Sequence, residues 1–139
     1  MHDELIEHCE RFRSLIVACD PETLFVTLQG FPGGACEDAS LLLARYLGEK
    51  GFGEFRHMAG KRGDHSHVWL QQGNVILDIT ADQFPDFPHG PVYVGSDGDW
   101  HAAFAGKDAG AADYSKYGDY IEAMLSASYN RIVEKQGSL

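Results

Sequence analysis

Between His65 and Thr80 the chain reads HSHVWLQQGNVILDIT, two runs of alternating side chains joined by a turn signal, a pattern that no helix satisfies. His65, His67 and Trp69 share one face of the first run, and Ser66, Val68 and Leu70 share the other. In the second run Val75, Leu77 and Ile79 oppose Ile76, Asp78 and Thr80. Gln72-Gly73 is the expected turn. A two-residue loop there sets His67 directly across from Asp78 on one face. A shift by two residues keeps the pair as diagonal neighbours, whereas a three-residue loop sends Asp78 to the opposite side. EFRHMAG, from Glu54 to Gly60, supplies a strand before this hairpin through a KRGD turn, and PVYVG supplies a short one after it. The pattern predicts a small antiparallel sheet from about Glu54 to Val94.

Helices are predicted on both sides of that sheet. From Asp3 to about Ala18, Leu5, Ile6, Cys9, Phe12, Leu15 and Ile16 trace one helical face. In FPGGACEDASLLLARYL, Pro32 stops any earlier helix, Gly33 and Gly34 permit a tight turn, and a helix begins near Cys36. Its stripe is Ala39, Leu42, Leu43, Tyr46 and Leu47, and Gly48 and Gly51 bracket a left-handed cap near Lys50. TLFVTLQG, from Thr23 to Gly30, fits neither state clearly. SDGDWHAAFAGKDAGAADY has no period and reads as a long surface loop, followed by a helix from about Tyr114 to Lys135 that tolerates Gly118 in its interior. The fold class is therefore α+β, in one domain spanning residues 1–139.

Cys36 is the candidate nucleophile. A thiol at a helix N-terminus lies beside unpaired N–H groups and the positive end of the helix dipole, both of which favour thiolate. Cys9 shares the apolar face of the first helix and Cys19 precedes the Asp20-Pro21 break, so both read as buried small hydrophobes. His67, oriented by Asp78 through one ring nitrogen, has the other nitrogen free to act as a base. Taken singly, His67 and Asp78 have ordinary structural explanations. Together with Cys36 they form the three-part arrangement that acyl transfer by a thiol requires.

The remaining composition limits partners and compartment. Acidic residues outnumber basic ones by 21 to 11, a net charge of -10, and no basic cluster is present to neutralise phosphates, so nucleic acid is not an expected partner. No apolar run approaches the length of a membrane span. Three cysteines without a C-x-x-C spacing, and no charged-then-apolar leader, point to a reducing cytoplasm, with signal-independent export compatible with the same reading.

The runs GACEDASLLLARYLGEKGF and HVWLQQGNVILDIT resemble the transglutaminase-like branch of the papain-like cysteine enzymes: a Cys opening a helix, a His in an H-x-W strand and an Asp in a D-x-T strand end. The resemblance covers about Phe31 to Phe84. It implies a papain-like core, with Cys36 as nucleophile, His67 as base, Asp78 as third member and no cofactor. Gln29, upstream of the nucleophile, corresponds to the papain-type oxyanion donor, for which the Cys36 backbone N–H is the alternative. Trp69, Phe84 and Trp100 are the expected pocket walls. The substrates implied are proteins, peptides or other amides. Proteases, amidases, deamidases, acyl transferases and inactive relatives share this core, so the reaction is not chosen by it. One departure is that Glu37 and Asp38 follow Cys36, where family members often carry an apolar or aromatic residue, and their charges oppose a thiolate if they face it.

Two other functions compete. His65 and His67 in H-x-H project together and, joined by His57, Asp64 or His101, would make a metal site of the cupin kind, although Gln71 stands where a Glu is wanted. A catalytically silent domain of the same fold, with its acidic surface facing a basic partner, is the third reading.

Overall fold

The computed structural model describes residues 2–138. Helix α1 spans Asp3–Ala18 and α2 Cys36–Glu49, with short 3₁₀ turns at Pro21–Thr23 and Val26–Leu28 between them. Strands β1 (Arg56–Arg62), β2 (His65–Gln72) and β3 (Val75–Asp78) follow, then β4 (Tyr93–Gly95), helix α3 (Asp99–Ala102), β5 (Lys107–Ala111) and helix α4 (Asp119–Glu134). The five strands form one antiparallel sheet in the order β4-β3-β2-β1-β5. No helix among the described residues is long and apolar enough to cross a membrane.

Both faces of the sheet are covered, as the alternation in β2 requires. Leu70 and Leu77 join Leu5, Phe12, Leu15, Leu42, Leu47, Leu125 and Ile132 in a core shared with α1, α2 and α4. Trp69, Ile76 and Phe104 form a second cluster, flanked by Met58, Phe84, Tyr93 and Trp100. The excursion between β3 and β5 thus roofs the sheet face that carries His67 and Asp78. Helix α2 ends as the glycines foretell: Phe52 N–H reaches back to Leu47 and Gly51 N–H to Gly48, with Gly51 at φ 91°.

Three expectations are corrected. The β2–β3 loop is Gly73-Asn74 rather than Gln72-Gly73, because Gln72 pairs with Val75, and Leu70 pairs with Leu77. Gln72 is held in the strand by its side chain, whose Nε2 donates to the Phe52 and Glu54 carbonyls at 2.9 and 3.0 Å, while Gly73 takes the positive φ of 60°. The register therefore slips by two, and His67 meets Asp78 as a diagonal neighbour. Second, the stretch expected to be a loop contains α3 and the edge strand β5. Lys107–Ala111 carries no apolar alternation because its side chains are mostly exposed, and it is bulged against β1 between Arg56 and Met58. Third, Gly118 lies outside α4: at φ 94° it separates a 3₁₀ turn, Tyr114–Tyr117, from the helix proper.

Candidate active site

The position of Cys36 is set by the loop before it. Gly33 N–H closes on the Gly30 carbonyl at 2.9 Å, Gly34 takes φ 70°, and α2 begins at Cys36 with no side chain capping it. The first-turn N–H groups are consequently without intrahelical partners, as at any helix start. Cys36 is half-buried, whereas Cys9 and Cys19 are buried. Burial pushes both of those thiols up, that of Cys9 to about 12. The acids after Cys36 are turned elsewhere. Glu37 Oε2 lies 3.5 Å from His57 Nε2, and Asp38 accepts a short hydrogen bond from the Thr27 hydroxyl. The His57 ring beside it keeps the Glu37 carboxyl below its usual range.

His67 comes from the middle of β2 and is wholly buried. The β3 ladder stops at Leu70 opposite Leu77, three residues beyond His67. Its Nε2 faces Asp78 Oδ2 at 2.7 Å. Nδ1 makes no hydrogen bond of its own, and Cys36, after Asp78, is the side chain that acts on the ring. Burial opposes a charge on this imidazole, but the carboxylate of Asp78 and the thiol of Cys36 outweigh it and raise its pKa to about 9.

Asp78 ends β3 and is 2 % exposed. Its Oδ1 accepts the Thr80 N–H at 3.0 Å, the Asx turn that a D-x-T strand end builds, and its Oδ2 accepts from two histidines, His67 and His101, the latter at 2.6 Å. Burial alone would raise its pKa; the bonds from His101 and His67 hold it at about 2 instead. The following residues tie the site to the rest of the chain. Arg13 of α1 donates to the Ile79 carbonyl and pairs with Asp82, while Gln83 Nε2 donates to the Thr80 carbonyl at 3.1 Å.

No family model, characterised protein or solved structure matches this chain. The candidate site accordingly stands on its own geometry, and that geometry sorts the expected residues. Cys36, His67 and Asp78 come together. Phe84 flanks His67 edge-on at 5.1 Å between ring centroids, joined by Trp100 at 6.0 Å, and both are half-buried. Trp69 is buried in the second cluster, 4.9 Å from His101, and with His101, Met58 and Ile76 it lines a cavity on this face of the sheet. Gln29 is committed elsewhere, its Nε2 donating to the Leu24 carbonyl at 3.1 Å in the turn before the Gly-rich loop. The alternative expected there, the Cys36 backbone N–H, lies in the uncapped first turn of α2.

The expected H-x-H metal pair does not converge, since His65 is exposed and His67 is buried. His57 lies on the opposite side of the sheet alternation, against Glu37 and Tyr117. Among the described residues the ligand-type atoms that do converge are those of His67, Asp78 and His101, within 4.8 Å of one another. Both ring nitrogens contact the same carboxylate oxygen at hydrogen-bond length, which is the geometry of a shared acceptor. Of the residues expected to join His67, His101 is the one that does, and what the sequence did not indicate is that it meets His67 on the Asp78 carboxylate. Its only signal was a histidine in the aperiodic run GDWHAAF, which α3 turns inward.

Proposed function

We propose that the chain is a cysteine-nucleophile acyl-transfer enzyme that hydrolyses peptide or carboxamide bonds, a reading that agrees with the transglutaminase-like and papain-like resemblance of its motifs. The observation that carries it is the position of His67, bonded to the buried Asp78 on one nitrogen and acted on by Cys36 with the other nitrogen free. In this reading the Cys36 thiol gives its proton to His67, and the sulfur attacks the carbonyl carbon of the amide. The C–N bond breaks as His67 returns the proton to the departing amine, leaving an S-acyl enzyme. Water then attacks the thioester, His67 takes a proton from it, and Cys36 leaves as thiolate while the acid is released. Asp78 keeps the imidazole oriented throughout, and the first-turn N–H of α2 receives the developing oxyanion. Hydrolysis is preferred to transfer because water needs no second binding site.

A catalytically silent domain is the second reading, favoured by the complete burial of His67 beneath Phe84, Trp100 and Phe104. A library of peptide and carboxamide substrates offered to wild type and Cys36→Ala separates the two. The enzyme reading expects turnover, an acyl adduct on the intact mass, and the loss of both with Cys36→Ala. Absence of turnover and adduct with every substrate supports the silent domain, and a stoichiometric metal in the purified protein that is lost with His101→Gln supports neither.

A further inference from the structure

Asp78 is bonded to more groups than acyl transfer by three residues requires. Two N–H donors converge on Oδ2, from His67 at 2.7 Å and His101 at 2.6 Å, and the two imidazoles stack with centroids 6.1 Å apart and planes 25° from parallel. His101 is 2 % exposed, and the four-residue helix that carries it is packed so that its ring also meets Trp69 and Tyr93. A neutral apolar side chain would fill that space without requiring a buried hydrogen bond.

We propose that His101 is a positioning residue of this site: by sharing Oδ2 with His67 it pins the Asp78 carboxylate and divides its acceptor strength, so that His67 is oriented firmly but can still surrender its proton. This rests on the reading of Cys36, His67 and Asp78 as the reacting set. Charge-assisted hydrogen bonds to one oxygen compete for the same electron density. A lone buried carboxylate would bind the imidazolium more strongly, and a base held in its charged form is a poor donor to a leaving amine. The charged groups around the pair are few. Asp78 and Cys36 face His67 directly. Arg62 lies outside the ring of aromatics, over Phe104, Trp100 and Phe84, and is neutralised by a two-pronged pair with Asp86. Tyr93 stacks on His101, and His89 stacks on Tyr93 in turn.

The test is an NMR titration of the His67 imidazole in wild type, His101→Phe and His101→Gln. Removing the second donor with Phe is expected to move the His67 titration upward by about one pH unit, tenfold in its protonation equilibrium, while Gln, which can still donate to Asp78, keeps it near the wild-type value. A purely structural role lowers the melting temperature of His101→Phe and leaves the His67 titration where it was, and that result overturns the proposal. Should the Phe variant fail to fold, ¹⁵N spectra of the wild type decide: His101 must be protonated at Nε2 and bonded to Asp78 across the neutral range, and an Nδ1–H tautomer with bare Nε2 overturns the proposal. Iodoacetamide labelling of wild-type Cys36 tests the underlying reading separately. Unselective labelling removes the thiol chemistry, whereas an unmoved His67 titration removes only His101.

Discussion

At the residue scale the site depends on partners more than on residue types. Glu37 and Asp38 looked unfavourable beside a thiolate, and each is turned to its own partner, His57 and Thr27. Gln29 looked suited to an oxyanion and is bonded to a backbone carbonyl instead. Gln29→Ala should therefore leave the iodoacetamide reactivity of Cys36 unchanged and cost at most about 1 kcal/mol of stability, as measured by urea unfolding. A large fall in Cys36 reactivity would return Gln29 to the site. Asp78→Ala should act very differently. It strips a buried acceptor from two histidines and the Thr80 N–H, and a loss of about 3 kcal/mol or more is expected from the same unfolding experiment. The grouping of Cys36, His67 and Asp78 was legible because each lies in a short motif with a local reason for its conformation. The contact of His101 with Asp78 was not, because it is made to a carboxylate 23 positions away in sequence.

At the element scale, α1, α2 and the β2–β3 hairpin were legible because periodicity and burial agree in them. The turn was misplaced by one residue because Gln72 is fixed by tertiary bonds to the Phe52 and Glu54 carbonyls, which no local pattern records. The parity of the alternation survived that slip, so His67 and Asp78 still share a face. The α3–β5 segment escaped notice for a related reason. It is short and rich in Gly and Ala, and its apolar anchors, Trp100 and Phe104, are too few to set a period. Gly60, directly opposite His67 in the β1–β2 ladder, marks its close approach to the sheet: a Cβ there would lie 2.3 Å from the Phe104 carbonyl oxygen. Because backbone would have to move, Gly60→Ala is expected to destabilise the fold by about 1–3 kcal/mol and to reduce Cys36 reactivity along with it. The control is Gly48→Ala, in α2 without a positive φ, where the added Cβ meets only the Gly53 carbonyl oxygen at an ordinary 3.8 Å. Equal stability of Gly60→Ala and wild type would contradict the packing described here.

At the scale of the whole molecule, the α+β class and the order of helices, sheet and C-terminal helix were readable from the sequence, while the roof over the His67 face was not. That roof makes the site a buried electrostatic unit, and its ionisation contributes to folding stability. The His67 pKa is raised in the folded state from 6.5 to about 9, so its contribution is complete below 6.5 and is lost as pH rises through 9. Asp78 is lowered from 3.8 to about 2, so its contribution is present above 3.8 and is lost as pH falls through 2. Melting temperatures across this range should fall between pH 6.5 and 9 in wild type and fall less in His67→Ala. Equal alkaline slopes in the two proteins would contradict the assignment of the charge to His67. Whether Cys36 is a nucleophile served by His67 and Asp78 is decided by intact-mass analysis after iodoacetamide treatment across a pH series, on wild type, Cys36→Ala and His67→Ala. A nucleophilic Cys36 gives a single adduct on wild type at pH values where Cys9 and Cys19 do not react, no such adduct on Cys36→Ala, and a labelling profile displaced to higher pH in His67→Ala. Labelling of Cys36 only at ordinary thiol pH, indifferent to the loss of His67, would contradict that role.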